Sequence, residues 1–143
     1  MRLALPQPWE DLGHVADVGV RVRGASAEEA LARLVLALAG LLAGNGRVEP
    51  EREERLSVRG GPGRALAAVA LLREVLYRFA TERILPAACE PVRIDEGGAE
   101  AVIAFGRWDA ARHDGADVKA VTLHAARFER VGAEWIAQAV FDI

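Results

Sequence analysis

The sequence has a single cysteine, Cys89, among its 143 residues. A disulfide within the chain and a zinc site built from cysteines are therefore excluded. A cysteine without a partner most often packs as a small apolar side chain, and we expect this of Cys89. Proteins without cysteine pairs are typical of the reducing cytosol, so we expect a cytoplasmic protein.

Long apolar segments and an excess of positive charge are also missing. No stretch approaches the roughly 20 apolar residues that a membrane span needs, and the first residues lack the pattern of a signal peptide. We therefore expect no association with a membrane. The net charge is −3, whereas proteins that bind nucleic acid through their own electrostatics are usually basic. Any contact with RNA is expected to be indirect, through a partner.

The motifs of common catalytic chemistries are absent as well. The serines are Ser26, which precedes a predicted helix, and Ser57, within a predicted strand. Neither has the strand-turn-helix setting of an activated serine. The glycine-rich segment 60–63 has neither the spacing nor the Lys-Ser/Thr ending of a phosphate-binding loop. The three histidines lack the spacing of zinc motifs such as HExxH. These absences weigh against acyl transfer, independent nucleotide binding and a zinc motif.

Hydrophobic residues make up 52% of the chain, which is enough for a well-formed core. Apolar residues in alternation predict strands, and apolar residues spaced by three and four predict helices. Ser26 followed three residues later by Glu29 is typical of a helix start, and Gly44 is typical of a helix end. The predicted elements are a strand at 17–23, a helix from 26 to 44, a strand at 55–59, a helix at 64–83, and strands at 91–95, 99–106, 117–130 and 135–143.

The resulting order is β-α-β-α-β-β-β-β, with the strands consecutive at the end of the chain. This order favours the α+β class over an alternating α/β fold. We expect a single two-layer domain over residues 1–143. In it, two helices cover one face of a mixed, largely antiparallel sheet.

Carboxylates mark the ends of the first and last predicted strands. Asp17 begins the first strand, Asp142 is the penultimate residue of the last, and Ile143 adds the α-carboxylate. If these strands pair antiparallel, the three groups converge and repel one another unless a cation lies between them. Oxygen ligands favour Ca²⁺ or Mg²⁺ over zinc. Aspartates at strand ends are also common without a metal, so the pattern alone leaves both interpretations open.

Three separated segments resemble the archease family. Residues 9–20 are similar to its opening, a Trp-Glu pair followed by His-Thr-Ala-Asp-(Ile/Val)-Gly. Residues 112–114 and 118–124 resemble its (Lys/Arg)-His and its Val-Lys-Ala-(Ile/Val)-Thr-Tyr-His. Residues 135–143 resemble its closing Trp…Asp-Ile. The segments lie in the family's order and span nearly the whole chain, so together they are far more specific than any one alone.

The resemblance implies an accessory protein of tRNA processing. Archeases promote guanylylation of the active-site histidine of the GTP-dependent RNA ligase of tRNA splicing, and they allow that ligase multiple turnovers. They carry a divalent cation, with Ca²⁺ expected here and Mg²⁺ or Mn²⁺ as alternatives, at positions that match Asp17, Asp142 and Ile143. The candidates for contacting the ligase or its nucleotide are His14, Lys119 and His124. The alternative for these side chains is that they satisfy polar groups of nearby strands and loops.

Two other functions remain open at this point. An older view of the family is that it acts as a chaperone or modulator of a tRNA cytosine-5 methyltransferase. The same carboxylates could serve a metal-dependent phosphodiesterase acting on RNA ends, although the negative net charge weighs against it. The chain departs from the family pattern at Gly13, Val15, Ala80, Arg107 and Leu123. None of these is a proposed ligand, but contacts that the family makes through them are in doubt.

Overall fold

The computed structural model describes residues 1–12 and 17–143. Within these ranges the chain forms eight strands and two helices. They are β1 (Leu3–Ala4), β2 (Glu10–Asp11), β3 (Asp17–Gly24), α1 (Ala27–Ala43), β4 (Arg52–Arg59), α2 (Arg64–Glu82), β5 (Ile84–Asp95), β6 (Gly98–Arg107), β7 (Ala120–Val131) and β8 (Glu134–Asp142). None of the helices in the described ranges is long and apolar enough to cross a membrane.

The α+β class and the predicted order are confirmed, since β3-α1-β4-α2-β5-β6-β7-β8 follows that order. The sheet arrangement differs. The sequence predicts one mixed sheet, whereas the strands form a first sheet, β1-β5-β6-β4, and a second sheet, β2-β3-β8-β7. Every pairing between the described strands is antiparallel. Strands β1 and β2 were not predicted, because a two-residue strand is too short to show alternation.

The burial of helix α1 explains why there are two sheets. Buried residues lie around most of its circumference, and it contacts strands of both sheets. Helix α2 also contacts both sheets. A helix that is apolar nearly all round must be covered on more than one side. The helices therefore pack between two sheets, where the sequence pattern suggested a single sheet on one side.

The predicted ends of α1 are confirmed. The Ser26 hydroxyl oxygen accepts a hydrogen bond from the Glu29 amide at 3.1 Å, which satisfies one of the free amides of the first turn. At the other end, Gly44 has a φ of 65° and its amide donates to the Gly40 carbonyl. A positive φ of this kind favours glycine, because glycine has no Cβ atom. Local sequence therefore determines where this helix begins and ends.

Strand β5 begins at Ile84, directly after α2, and not at the predicted Pro91. Proline cannot donate to a strand ladder, so Pro86 argues against a strand before Pro91 in the sequence. The structure accommodates both prolines at irregularities in the pairing of β5 with β6, between Pro86 and Ala88 and between Pro91 and Arg93. Bulges are where such residues are tolerated.

Two other strand boundaries also differ from the prediction. Strand β4 begins at Arg52, earlier than the predicted Arg55, and its first residues are charged. It lies at the edge of the first sheet, where charged side chains face water and protect the edge from further pairing. Strand β7 begins at Ala120, later than the predicted Asp117. Alternation of apolar residues does not reveal either boundary.

Cys89 packs in the core as predicted. Its residue is 0% exposed, and burial raises the pKa of its thiol to about 12. Reactivity requires the thiolate, so this thiol is inert in the folded protein. Its role is to fill space between β5 and the helices.

The loop between β6 and β7 caps the C-terminal end of α1. The Trp108 indole Nε1 donates to the Leu42 carbonyl at 3.3 Å. The Ala116 amide donates to the Leu41 carbonyl at 2.7 Å. The last carbonyls of a helix have no partner within the helix. This loop supplies partners for two of them and fixes its own path across the end of α1.

His113 holds this loop in place. The side chain is buried, and its Nδ1 accepts a hydrogen bond from the Asp109 amide at 2.8 Å. The Nε2 atom lies 2.9 Å from the Arg47 carbonyl. Because Nδ1 accepts, the ring is the neutral tautomer whose Nε2–H donates to Arg47. The histidine thus joins the loop after β6 to the loop after α1.

An ion-pair network joins β4 to α2. Glu54 accepts a hydrogen bond from the guanidinium of Arg78 and pairs with that of Arg52 at 2.9 Å. Arg52 also pairs with Glu82 at 2.7 Å, and Arg78 with Glu74 at 3.3 Å. The Arg78 guanidinium lowers the pKa of the Glu54 carboxyl below its ordinary value. The network therefore stabilises the contact between an edge strand and the helix beside it.

We expect Glu54→Gln to lower the free energy of unfolding at neutral pH by about 0.5–1 kcal/mol, the range of partly exposed ion pairs. The folded-state pKa of Glu54 is depressed, so its contribution is present above the unfolded value and is lost as pH falls through the folded value. Denaturant unfolding at several pH values should show that the wild type and the variant converge in acid. Glu53→Gln is the control, because the Arg2–Glu53 pair is more exposed. An equal difference at pH 7 and pH 3 would contradict this account.

We expect His113→Ala to lower the free energy of unfolding by about 2 kcal/mol, because it leaves a backbone amide and a carbonyl without partners and opens a cavity. Thermal unfolding followed by circular dichroism measures this. Arg112→Ala provides a matched control, since the adjacent Arg112 side chain is 65% exposed. The loop would not depend on His113 if both variants melted at the wild-type temperature.

Candidate metal-binding corner

The pairing of β3 with β8 joins a strand from the first part of the chain to the last strand. The strands run antiparallel in one continuous register, from Asp17 opposite Asp142 to Gly24 opposite Trp135. Alternate residues of both strands face the core, and a shift by one residue would turn them to the other face. The residues that set this register are Val18, Val20 and Val22 on β3 and Phe141, Ala139 and Ala137 on β8.

Asp17 and Asp142 lie directly opposite each other at the end of this ladder. Val18 and Phe141, one position further along, pack against the core, so both aspartates point to the opposite face of the sheet. Side chains in such a pair have Cβ atoms about 4.5–5.5 Å apart. The antiparallel pairing on which the carboxylate prediction depends is therefore observed. Asp17 is half-buried and Asp142 is exposed.

Lys119 and Ile143 lie at the same end of the second sheet. The Lys119 amide donates to the Asp142 carbonyl at 2.8 Å, and the next residue, Ala120, pairs with Asp142. Strand β8 thus has Asp17 on one side and Lys119 on the other, with Ile143 following Asp142. We call these four residues the carboxylate corner. Lys119 is the single lysine of the sequence, and its side chain is exposed.

The two predicted histidines differ in what the structure describes. His14 lies outside the described residues. His124 is exposed in an irregular part of β7, where residues 123–126 lie opposite Ala139 alone, between the pairs Thr122–Val140 and Arg127–Gln138. Its amide donates to the Thr122 hydroxyl at 3.2 Å. This bulge, and not the end of the strand, positions His124.

Two residues that the sequence analysis missed anchor this bulge. The Gln138 side-chain amide donates to the Ala125 carbonyl at 2.8 Å, and its oxygen accepts two hydrogen bonds from Arg21, at 3.0 and 2.8 Å. Ala125 has a φ of 53°, a left-handed conformation unusual for alanine. Gln138 is 9% exposed. A glutamine within an otherwise apolar strand is the sequence signal that could have revealed this role.

The donor set of the corner suits a hard cation. The two side-chain carboxylates and the α-carboxylate of Ile143 offer oxygen atoms only, as Ca²⁺, Mg²⁺ and Mn²⁺ prefer. Like charges placed directly opposite on neighbouring strands are destabilising, and a cation between them removes the repulsion. Among the described residues, no group of three or more His, Cys, Asp and Glu side chains converges. A cation here would therefore also take oxygen ligands from the terminus or from water.

Comparisons with known proteins agree with the fold and the motifs. Residues 9–143 match the model of the Archease protein family (MTH1598/TM1083). The chain is 32% identical to the archease of Methanopyrus kandleri over 140 residues, covering 95% of this chain and 99% of that one. It is 30% identical to the archease of Pyrococcus furiosus over 141 residues, covering 94% and 98%.

Two solved structures share the fold. The solution structure of protein 1598 from Methanobacterium thermoautotrophicum superposes with a TM-score of 0.77 at 23% identity, covering 94% of this chain and 98% of that one. The crystal structure of an archease from Thermotoga maritima, described as a possible chaperone, superposes with a TM-score of 0.60 at 21% identity, covering 97% and 98%. The family model covers nearly the whole chain, and relatives at 30% identity or more align over nearly all of it. The chain therefore belongs to the archease family.

Proposed function

We propose that this protein is a non-catalytic, cytoplasmic activator of the GTP-dependent RNA ligase of tRNA splicing. In this proposal it promotes guanylylation of the ligase active-site histidine and multiple turnover. The observation that carries the proposal is the register that sets Asp17 opposite Asp142. A cation shared by this pair would use both side-chain carboxylates, and oxygen ligands of this kind suit Ca²⁺ and Mg²⁺.

The residues of the corner have separate roles in this proposal. Asp17, Asp142 and the α-carboxylate of Ile143 would hold a divalent cation, with Ca²⁺ preferred and Mg²⁺ or Mn²⁺ as alternatives. A bound divalent cation supplies positive charge that neutralises the charge developing on phosphate during nucleotidyl transfer.

The exposed His124 and Lys119, and His14, three residues before Asp17 in the sequence, are proposed to contact the ligase or its nucleotide. The bulge that presents His124 is held by Gln138 and Arg21, so its position does not depend on the cation. The net charge of −3 supports contact with RNA only through the ligase.

The second candidate is a chaperone or modulator of a tRNA cytosine-5 methyltransferase. The description of the Thermotoga maritima relative as a possible chaperone favours it. Both candidates require a protein partner. They differ in the role of the corner, because a chaperone that works through its surface does not need the carboxylate pair.

The decisive experiment measures GMP transfer to the cognate ligase, at low ligase concentration, with and without this protein. We expect the wild type to stimulate GMP transfer. Asp17→Asn should reduce this stimulation by at least about tenfold, because it removes a charged ligand of the cation that would stabilise the developing charge, without changing the shape of the side chain. Glu129→Gln is a matched control. Glu129 is exposed on the same sheet face, towards the other end of β7, opposite Ile136.

Each other outcome has a defined meaning. Normal stimulation by Asp17→Asn would exclude a role for the carboxylate pair. If the wild type did not stimulate a competent ligase but increased methylation by the tRNA methyltransferase, the chaperone candidate would replace the activator. Incubating RNA ends with the protein and a divalent cation, without ligase, tests for a phosphodiesterase. Hydrolysis that disappears with Asp17→Asn would show that the protein is an enzyme.

A further inference from the structure

The segment between β6 and β7 is anchored at both of its ends. At its start, the Trp108 amide donates to the Arg83 carbonyl at 2.8 Å, and the indole meets the Phe79 ring edge to face. At its end, Val118 is buried and packs in the core. The residues between these anchors, 109–117, form neither helix nor strand. Their position therefore depends on individual contacts to the rest of the molecule.

Contacts to α1 and to the loop that follows it hold this segment in place. The Ala116 amide donates to the Leu41 carbonyl, and the Asp114 carboxylate accepts a hydrogen bond from the Asn45 amide at 3.1 Å. The buried side chain of His113 supplies a further contact to the same loop. Histidine is the side chain that ordinarily changes its charge between pH 5 and pH 8. His113 is therefore the contact of this set that responds to pH near neutrality.

The hydrogen bonds of His113 fix where its ring carries a proton. The His113 amide donates to the Asp109 carbonyl at 2.8 Å, and the Asp109 amide donates to the ring Nδ1 at 2.8 Å. A backbone amide can only donate through its nitrogen, so Nδ1 accepts and carries no proton. The other ring nitrogen, Nε2, donates to the Arg47 carbonyl at 2.9 Å. The neutral ring thus satisfies the segment on one side and the loop after α1 on the other.

Protonation of this ring is incompatible with the closed segment. A charged imidazole donates from both nitrogens, so its Nδ1–H would face the N–H of Asp109. Two donors would then lack a partner at a residue that is 4% exposed, and a buried donor without a partner is costly. The ring has no room to move towards Gly46, because a Cβ atom at that glycine would collide with the ring Cδ2. A proton on Nδ1 therefore favours release of the segment.

The charged side chains around His113 have partners of their own. Those that line the cavity beside the segment are Arg47, Glu49, Glu51, Arg107, Asp109 and Arg112. They form ion pairs between neighbours, Arg47 with Glu49, Arg107 with Glu51 and Arg112 with Asp109, at 3.5, 3.8 and 3.9 Å. Asp114 follows His113 directly and accepts from the Asn45 amide, and the last turn of α1 has no basic side chain. Within the described ranges, no carboxylate forms an ion pair with the His113 ring, so no direct partner stabilises a charge on it.

We propose that His113 is a pH-sensitive latch, which holds residues 109–117 against the end of α1 while its ring is neutral and releases them when the ring is protonated. The latch does not depend on the proposed function. On release the Ala116 amide leaves the Leu41 carbonyl, while the anchors at Trp108 and Val118 keep the flanking strands in place. An exposed histidine is half protonated at about pH 6.5. The stability that the latch adds is therefore present above this pH and is lost as the pH falls below it.

Amide hydrogen exchange of the full chain tests the latch, because it reports the opening of individual segments. Rates at pH 7.5 and pH 5.5 are each divided by the intrinsic rate at that pH. If the proton binds only the open segment, the opening equilibrium increases about tenfold between these pH values, since the open form has a histidine of ordinary acidity. The amides of Asp109 and Ala116 should lose protection by this factor. The amides of the β3–β8 ladder should keep theirs, which shows that the fold is intact.

His113→Gln separates the latch from other effects of acid. A glutamine amide accepts through its oxygen and donates through its nitrogen, as the neutral ring does, but it takes up no proton in this range. The acid response should disappear in this variant, whether glutamine closes the segment fully or in part. His14→Gln and His124→Gln are the controls, because they remove the other two histidines of the sequence, and both should respond as the wild type does. Equal protection of the segment at pH 7.5 and pH 5.5 in the wild type, or an unchanged acid response in His113→Gln, would overturn the latch.

Discussion

The antiparallel pairing of β3 with β8 is the constraint on which the candidate site depends. These strands come from opposite ends of the sequence, and their core-facing valines, alanines and phenylalanine allow one register. That register places Asp17 opposite Asp142 at the end of the ladder. Burial of the apolar face of the two strands imposes this register. The two aspartates therefore lie opposite each other because the core requires the pairing. A site of this kind is built by the fold and needs no separate motif.

The second constraint is helix α1, which is buried around most of its circumference. It is covered by both sheets, and its C-terminal carbonyls are satisfied by the loop between β6 and β7. The same loop leads directly to Lys119, whose amide donates to the Asp142 carbonyl. The path of this loop therefore both caps α1 and places the backbone of Lys119 next to Asp142. The family-like Arg-His motif at Arg112 and His113 belongs to this path, through the buried His113.

The sequence was sufficient for the elements with strong local signals. The capped start of α1 at Ser26, its end at Gly44 and the alternation in β3 and β8 determine structure over a few residues, and they were predicted correctly. The antiparallel meeting of Asp17 with Asp142 was also anticipated, because it requires only that the first and last strands pair. These features depend on patterns of side chains that are close in sequence or on a single pairing.

Other features depend on contacts that no local pattern reveals. The division into two sheets follows from covering α1 on two sides, and the length of β5 depends on bulges that tolerate Pro86 and Pro91. The bulge that exposes Leu123 and His124 is held by Gln138 from the neighbouring strand. Arg73 reaches the edge of β7 from a different element. The surroundings of the corner could therefore be found only in the folded structure.

Whether the corner holds a cation is the central claim, and calcium titration by calorimetry tests it without any partner. We expect the wild type to bind one Ca²⁺ and Asp142→Asn to bind at least about tenfold more weakly, because the substitution removes one of few charged oxygen ligands. Competition with Mg²⁺ and Mn²⁺ would then rank the ions. Binding of equal strength by the wild type and Asp142→Asn, or no binding by either, would contradict the account and leave the aspartate pair as a feature of strand pairing alone.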